Sequence, residues 1–228
     1  PGVAVYHNRA LWPFVTAYAL RAAAVTRQSA VAARAFESLF RGAALNLSNM
    51  ENLEWLTAKP RFDDGPVINS RRQLWSVAAY LSMVVESVFG ITLRAGSLHI
   101  APFLTTAARR AVGDGPQAKL TGLRLCGCTI SVTLFLPTAS AEPGFHPLSG
   151  VLLNGKPIAT PLPLAAQGAG PLDLELRFGP VHAGDLRLTE TPAVDPLDRH
   201  APAAFAPAAP TMQRVERLPE GTHLHWAI

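Results

Sequence analysis

The sequence predicts an α+β protein, because two parts of the chain follow different hydrophobic periods. Up to about residue 90, apolar side chains recur at the three- and four-residue spacing of helices. Between residues 91 and 192 they alternate in short runs separated by glycine and proline, as strands do. Asn154-Gly155 lies between two such runs and indicates a β-hairpin. We therefore expect helices first, followed by an antiparallel β-sandwich.

Three helices are expected in residues 1–90. Ser29 is placed to cap the N-terminus of the second helix, and Gly90 is placed to end the third. Residues 45–70, between these two helices, have no regular pattern, and a connection of that length in a compact domain is usually functional. The first helix follows Trp12-Pro13, the second covers about 29–44, and the third covers about 72–89.

The remaining chain is expected to form β-structure in two parts. Residues 193–210 are rich in alanine and proline, which predicts a semi-rigid linker after the sandwich of residues 91–192. Residues 211–228 resemble the opening two strands of a fibronectin type III-like module, with a turn at Pro219-Glu220-Gly221. Within the sandwich, strands are expected at 97–100, 120–125, 129–136, 150–154 and 172–178.

Composition excludes several classes of partner. The formal net charge of +4 comes from singly spaced arginines and a few pairs, so no nucleic-acid partner is expected. The apolar runs are too short and interrupted to span a bilayer, so no membrane partner is expected. Cys126 and Cys128 should share one face of a strand, without metal ligands nearby, and we expect neither a metal nor a cofactor. Localisation stays open, with a bacterial periplasmic or extracellular site slightly favoured over the cytoplasm.

The first candidate site segment is Tyr6-His7-Asn8-Arg9-Ala10-Leu11-Trp12-Pro13. Aromatic rings offer a face to the C–H groups of sugars, and histidine and asparagine donate hydrogen bonds to hydroxyls. Tyr6, His7, Asn8 and Trp12 are therefore candidate substrate-binding residues. The alternative is that Tyr6 and Trp12 are core aromatics beside a helix start.

The second candidate segment contains the carboxylates. It runs Ser48-Asn49-Met50-Glu51-Asn52-Leu53-Glu54-Trp55 and continues, after an acidic loop, as Asn69-Ser70-Arg71-Arg72-Gln73-Leu74-Trp75-Ser76. A general base must lie on a positioned loop, open to the pocket, with neighbours that orient water. Glu51 is flanked by Asn49 and Asn52 and suits that role, and Glu54 is a second candidate. The alternative for Glu51 is a solvated loop carboxylate.

Of the charged residues around the loop, the two aspartates have one expected role and the two arginines have two. Asp63 and Asp64 are expected to form a turn before Gly65. Arg71 and Arg72 either bind sugar hydroxyls and orient the glutamate, or form a buried structural pair.

In this order, the two segments resemble the "Tyr-His-x-x-x-x-Trp-Pro" and "Ser-x-x-Glu … Gly … Ser-x-Arg-x-x-x-Trp-Ser-x-Ala" runs of six-hairpin (α/α)6-toroid glycosidases. That superfamily includes glucoamylases, glycogen-debranching enzymes and trehalases. The resemblance covers about residues 1–137 and implies the last helices of a toroid. It places Glu51 at the general base, Gly65 at the loop glycine and Trp75 at the start of the last helix, with Trp55 and Trp75 added to the substrate-binding set. The loop is longer than in glucoamylases.

The resemblance implies an inverting glycoside hydrolase acting on an α-linked glucan or oligosaccharide. Inversion requires one protonated carboxyl on the leaving oxygen and one carboxylate that activates water on the far face. In this superfamily the general acid lies midway through the toroid, upstream of Pro1. The implied partners are therefore a carbohydrate substrate and the missing N-terminal half of the toroid itself.

Two other functions remain open. In a disaccharide phosphorylase, phosphate replaces water, but no Gly/Ser/Arg cradle in the sequence clearly provides a phosphate site. A non-catalytic carbohydrate-binding protein would be favoured by a pocket without a reachable carboxylate.

Two structural expectations follow from the leading hypothesis. The first is that Glu51, His7, Trp12 and either Trp55 or Trp75 meet at one concave surface. The second is that the absence of partner helices leaves an exposed apolar patch on the first two helices, made of Leu20, Val31, Phe36 and Phe40.

Overall fold

The computed structural model describes residues 10–54, 58, 63–64, 67–68, 70–168, 170–184, 211–218 and 221–227. The chain divides into two compact units, Pro1–Leu186 and Arg187–Ile228. The first unit combines helices with several sheets, which confirms the α+β class. Its helices are α1 (Pro13–Val25), α2 (Ser29–Asn46), α3 (Leu74–Ser82, continued by a π-helix over Met83–Val88) and α4 (Thr106–Ala111).

The three helices expected from the sequence are present, and their ends show local causes. Pro13 occupies the first turn of α1, where a missing N–H is tolerated. Gly90 follows the π-helix with a φ of +71°, as expected for a residue that ends a helix. Ser29, in contrast, is not an N-cap. It is the first residue of α2, after Gln28 at the cap position, and its Oγ donates to the carbonyl of Ala183 at 2.8 Å. A tertiary contact has taken the hydroxyl that was expected to cap the helix.

The first unit contains fourteen short strands among its described residues. They are β1 (Ala10–Leu11), β2 (Leu53–Glu54), β3 (Asp63–Asp64), β4 (Val67–Ile68), β5 (Ile91–Arg94), β6 (Ser97–Ile100), β7 (Leu104–Thr105), β8 (Gln117–Leu125), β9 (Cys128–Phe135), β10 (Phe145–His146), β11 (Leu148–Leu153), β12 (Lys156–Pro157), β13 (Leu162–Pro163) and β14 (Pro171–Phe178).

The main sheet has five strands in the order β12-β11-β14-β9-β8. The Asn154-Gly155 hairpin between β11 and β12 is confirmed, with Leu153 opposite Lys156. The expectation of a purely antiparallel arrangement is wrong at one place, because β14 pairs with β9 in parallel while it pairs with β11 antiparallel. Strands β13, β6 and β5 form a separate antiparallel sheet. Alternating burial is the same in both pairing modes, so the sequence pattern could not distinguish them.

Helices and sheets share one apolar core. Strands β9 and β14 are buried at every second position, namely Ile130, Val132, Leu134, Leu172, Leu174 and Leu176. Leu20 of α1, Leu39 of α2 and Met83 of the π-helix belong to the same cluster. The 3.6-residue period of the helices and the two-residue period of the strands therefore supply apolar side chains to one interior.

Two short helices interrupt the β-region. Helix α4 begins at Thr106 because Thr105 provides a true N-cap, its Oγ1 accepting from the N–H of Ala108 at 3.1 Å. The sequence analysis did not anticipate this helix. A single 3₁₀ turn at Leu164–Ala166 lies between β13 and β14.

The expected apolar patch is only partly present. Leu20 and Phe36 are buried in the core, whereas Val31 and Phe40 are exposed. Helices α1 and α2 pack against each other and cover their own inward faces, so those positions do not depend on further helices. Other large apolar side chains are exposed instead, among them Tyr18, Leu47, Leu74, Trp75 and Leu81.

Cys126 and Cys128 do not share a strand face. Leu125 of β8 lies opposite Cys128 of β9, so Cys126 and Gly127 form the two-residue turn between them. Both turn residues have positive φ, +48° and +81°, as a type I′ hairpin turn requires. Cys126 is consequently exposed and Cys128 buried, and both are free thiols.

The second unit contains a β-hairpin. Strand β15 (Thr211–Leu218) pairs antiparallel with β16 (Gly221–Ala227), which are the two strands expected there. The fibronectin type III-like identity stays a prediction. The expected linker, residues 193–210, lies outside the described residues.

Candidate functional site

The two candidate segments lie side by side. Strand β1, directly before Trp12, pairs antiparallel with β2, directly after Asn52, so that Ala10 lies opposite Glu54 and Leu11 opposite Leu53. Residues separated by more than forty positions are thereby held in one short ladder. The structure brings together the segments that the sequence analysis had selected separately.

Backbone hydrogen bonds fix the Glu51 loop to the segment before α3. The N–H of Glu51 donates to the carbonyl of Ser70 at 3.0 Å, and the N–H of Ser70 donates to Oε2 of Glu51 at 2.7 Å. Nearby, the N–H of Gln73 donates to the carbonyl of Asn49 at 2.9 Å, and Oγ of Ser48 donates to the carbonyl of Arg71 at 2.8 Å. This reciprocal pairing orients the Glu51 carboxylate through the main chain.

Glu51 is buried, with 6% of its surface exposed. It is therefore not the solvated loop carboxylate of the alternative reading. Its role as a general base stays a prediction. Glu54 is half-buried and thus more accessible than Glu51. The cavity next to the loop, lined by Pro13, Ser48 and Asn49 among others, has a volume of about 20 Å³, which holds roughly one water.

Aromatic side chains gather where α1 and α3 begin. The ring of Trp12 lies edge-on to that of Trp75 with centroids 6.4 Å apart, and Phe14 stacks on Trp75 at 5.0 Å. Trp75 remains 43% exposed. Trp12 and Trp75, two members of the set expected to meet, are thus in contact, and Phe14 joins them because it follows Pro13 on the first turn of α1. The meeting of this pair with Glu51 and His7 stays a prediction.

A cleft of about 280 Å³ extends from this cluster between α1 and α3. We call it the aromatic cleft; Phe14, Tyr18, Arg21, Trp75 and Glu86 are among its lining residues. Glu51 does not line it. Its charged end is an ion pair in which Nη2 of Arg21 lies 3.3 Å from Oε2 of Glu86. That oxygen is buried and accepts no aligned hydrogen bond among the described residues, so the pair is held by charge attraction rather than by a directed bond.

Tyr18, Arg21 and Glu86 were not among the residues selected from the sequence. A signal for Glu86 was present, because it is the sole charged residue between Leu74 and Phe89. A lone carboxylate in an otherwise apolar helix requires a partner or a polar cavity. Glu86 also lies in the π-helical segment, a rare conformation that frequently occurs at functional sites.

The remaining sequence-selected residues fall into three groups. Arg71 and Arg72 are exposed, so the alternative of a buried structural pair is wrong. Asp63 and Asp64 form β3 and pair with β4 instead of making a turn themselves, since Asp64 lies opposite Val67. The residues Tyr6, His7, Asn8, Trp55 and Gly65 lie outside the described residues.

Two other kinds of feature, a metal site and a membrane-spanning helix, are absent from the described residues. No group of histidine, cysteine and acidic side chains in this part of the chain could hold a metal ion. Among the helices that the structure describes, none has the length and apolar character needed to cross a membrane. No protein-family model matches the chain, and no curated protein is significantly similar to it in sequence.

Proposed function

We propose that the protein contributes the last helices of an (α/α)6 toroid to an inverting glycoside hydrolase that acts on an α-linked glucan or oligosaccharide. In this proposal the β-region of residues 91–192 is the sandwich that follows the toroid, and residues 211–228 open a fibronectin type III-like module. Glu51 or Glu54 is the general base, and the general acid is supplied by the upstream part of the toroid.

The observation that carries the proposal is the adjacency of the two candidate segments. The ladder between β1 and β2 and the reciprocal bonds between Glu51 and Ser70 place the Trp12 segment, the glutamate loop and the start of α3 at one end of the helices. Inverting hydrolysis needs a carboxylate of fixed orientation beside surfaces that bind a sugar ring. The oriented glutamate loop and the cluster of Trp12, Phe14 and Trp75 have these properties.

Each of the two glutamates meets only one requirement of a general base, orientation or accessibility. Glu51 is oriented by a main-chain donor but buried, whereas Glu54 is half-buried and lies opposite Ala10, two residues before Trp12. A base must reach a water molecule that also contacts the substrate. Glu51 therefore acts as the base only with a water next to its carboxylate, and Glu54 acts as the base if Glu51 serves to fix the loop.

One observation favours a second candidate function, non-catalytic carbohydrate binding. Glu51 is buried, and the cavity beside it is far smaller than the roughly 300 Å³ or more of ordinary ligand sites. The aromatic cleft, with Trp75 and Tyr18 exposed beside the Arg21–Glu86 pair, is closer to that size and combines ring faces with polar groups, as sugar sites do.

The test compares Glu51→Gln and Glu54→Gln in the full-length protein, with the exposed Glu37→Gln as control. Loss of the base should lower turnover of α-linked oligosaccharides by about two orders of magnitude or more, while the control keeps wild-type turnover. NMR immediately after cleavage should show the inverted anomer. Full activity of both variants excludes a base at either position, and a retained anomer excludes inversion. A requirement for inorganic phosphate would show a phosphorylase, and sugar binding without turnover would favour the non-catalytic alternative.

A further inference from the structure

A second cleft, of about 450 Å³, lies at the opposite end of α1 from the candidate segments. We call it the arginine cleft; its lining residues include Arg21, Arg27, Glu86, Arg94 and His182. Its volume falls within the range of small-molecule sites. The N-terminal ends of α1 and α3 meet at Phe14 and Trp75, and their later turns meet at Arg21 and Glu86, so the two helices run in the same direction. Thirteen residues of α1 separate the arginine cleft from Trp12 by about 20 Å.

The charges around the arginine cleft favour an anion. Glu86 pairs with Arg21, and within the described part of the chain neither Arg27 nor Arg94 has an ion-pair partner. Two helix C-termini, of α1 and the π-helix, add about half a negative charge each. Three guanidinium groups outweigh these and the single carboxylate. Guanidinium is the group that best matches the planar oxygens of carboxylate and phosphate.

Arg27 is held in a backbone conformation that favours glycine. Its φ is +56°. The N–H of Arg27 donates to the carbonyl of Ala24 at 3.3 Å, and the N–H of Gln28 donates to the carbonyl of Ala23 at 2.8 Å. This is the pattern of a Schellman motif, whose left-handed position usually holds glycine because a side chain there is strained. The same conformation occurs at five other non-glycine residues, so it is the position of Arg27 at the cleft that distinguishes it.

The segment after β14 holds this turn in place. Oγ of Ser29 donates to the carbonyl of Ala183 at 2.8 Å. A Cβ at Gly184 would lie 2.8 Å from the carbonyl oxygen of Arg27, so that segment packs directly on the turn. The N–H of Gly184 donates to Nδ1 of His182 at 3.1 Å, which leaves the ring proton of the neutral imidazole on Nε2 as a further donor at the cleft.

Apolar side chains form the rest of the arginine cleft. Phe103 and Phe145 lie side by side with ring centroids 4.6 Å apart, and His182 lies 5.3 Å from Phe145. Ile100 and Pro102 also line the cleft. These four apolar residues are largely buried and form the floor of the cleft, whereas Val25, which also lines it, is exposed. An inorganic ion would leave Val25 uncovered, whereas a ligand with an apolar body would cover it.

We propose that the arginine cleft binds a small organic oxyanion, a phosphate or carboxylate group attached to an apolar body. Arg27 and Arg94 bind the charged group, the Arg21–Glu86 pair forms one polar wall, and Phe103 and Phe145 contact the apolar body. This site lies away from the proposed general base and does not depend on glycosidase activity. It shares the Arg21–Glu86 pair with the aromatic cleft.

The test uses three probes measured by isothermal titration calorimetry. Phenyl phosphate has both the charge and the apolar body, inorganic phosphate has only the charge, and phenol has only the ring. Phenyl phosphate should bind at least about tenfold more tightly than either of the other two. Equal binding of phenyl phosphate and phenol, equal binding of phenyl phosphate and inorganic phosphate, or no binding of phenyl phosphate would each overturn the proposal.

Variants separate a binding role for Arg27 from a structural one. Arg27→Gly and Arg94→Ala should each weaken phenyl phosphate at least about tenfold, and Arg41→Ala, an equal loss of charge on the exposed face of α2, should not. Because glycine relieves the strain at φ +56°, the melting temperature of Arg27→Gly should equal or exceed that of the wild type. A lower melting temperature with unchanged binding means that Arg27 only completes the helix end, and an equal loss in all three variants means unspecific charge attraction. Either outcome refutes the site.

Discussion

Gly90 joins the π-helix to β5, and its substitution by alanine tests how tightly this junction is packed. Gly90 has a φ of +71°, and a Cβ built on it would lie 2.0 Å from the backbone nitrogen of Pro102 and 2.5 Å from the carbonyl carbon of Ala101. The carbonyl of Gly90 also accepts the N–H of Ala101 at 2.8 Å. The obstructing atoms belong to the main chain, so no side chain can rotate away to make room.

The cost of Gly90→Ala has two parts that a control separates. The left-handed conformation costs alanine about 1 kcal/mol. Relief of the clash requires the backbone at Ala101 and Pro102 to move by more than 1 Å, which disrupts a hydrogen bond and nearby core packing and costs about 3 kcal/mol more. Gly96→Ala has almost the same φ, +73°, but nothing lies within 4 Å of its Cβ, so only the first part applies.

Urea denaturation followed by circular dichroism measures both variants. We expect Gly90→Ala to lose about 4 kcal/mol of unfolding free energy and Gly96→Ala about 1 kcal/mol, with unchanged m-values. Equal losses in the two variants would show that Gly90 is required only for its φ and that the close approach to Pro102 is not real.

Two further substitutions test polar contacts in the β-region. Arg109 is buried and donates to the carbonyls of Pro137 and Gly113, both at 2.6 Å. Arg109→Met should therefore lower the unfolding free energy measured in urea by about 3 kcal/mol, and Arg110→Met, at the exposed neighbour, by less than about 1 kcal/mol. A similar loss from both variants would contradict the role of burial. Asn154 has a φ of +48°, and its Oδ1 accepts the N–H of Asp173 at 2.9 Å, so Asn154→Ala should cost about 2 kcal/mol by the same assay. Asn154→Asp keeps the acceptor and should lose less than half as much; equal losses would rule out a contribution from the hydrogen bond.

Most of the fold prediction came from the hydrophobic periodicity of the sequence and from its turn-forming residues. The helix after Pro13, the helix from Ser29 and the hairpin at Asn154 all follow from local patterns that the structure confirms. These features depend on neighbours within a few residues, for which backbone geometry and the local sequence suffice.

Features that depend on distant contacts were not predictable. Ser29 has the residue type of a cap, but Ala183, far away in sequence, takes its hydroxyl. The parallel pairing of β14 with β9 leaves no trace in the alternation of either strand.

In the candidate site, too, the features set by local sequence were predictable and those set by distant contacts were not. Residue types selected the segments around Trp12 and Glu51, and the structure places those segments together. Residue types could not reveal that the Glu51 carboxylate is buried and accepts a hydrogen bond from the N–H of Ser70. That bond joins two loop segments whose paths are set by tertiary packing. The approach of Arg21 to Glu86 likewise arises from the packing of α1 on α3.

The position of β14 in the main sheet has a consequence for the order of folding. Strand β14 is the last of its sheet to be synthesised, yet it lies between β11 and β9. The β8–β9 and β11–β12 hairpins are local and close within microseconds, but they cannot join until residue 178 has left the ribosome. Until then β9, with Ile130, Val132 and Leu134 along it, presents an unpaired apolar edge that other chains can extend. Insertion of β14 therefore completes the sheet and at the same moment removes the edge at which a nascent chain would aggregate.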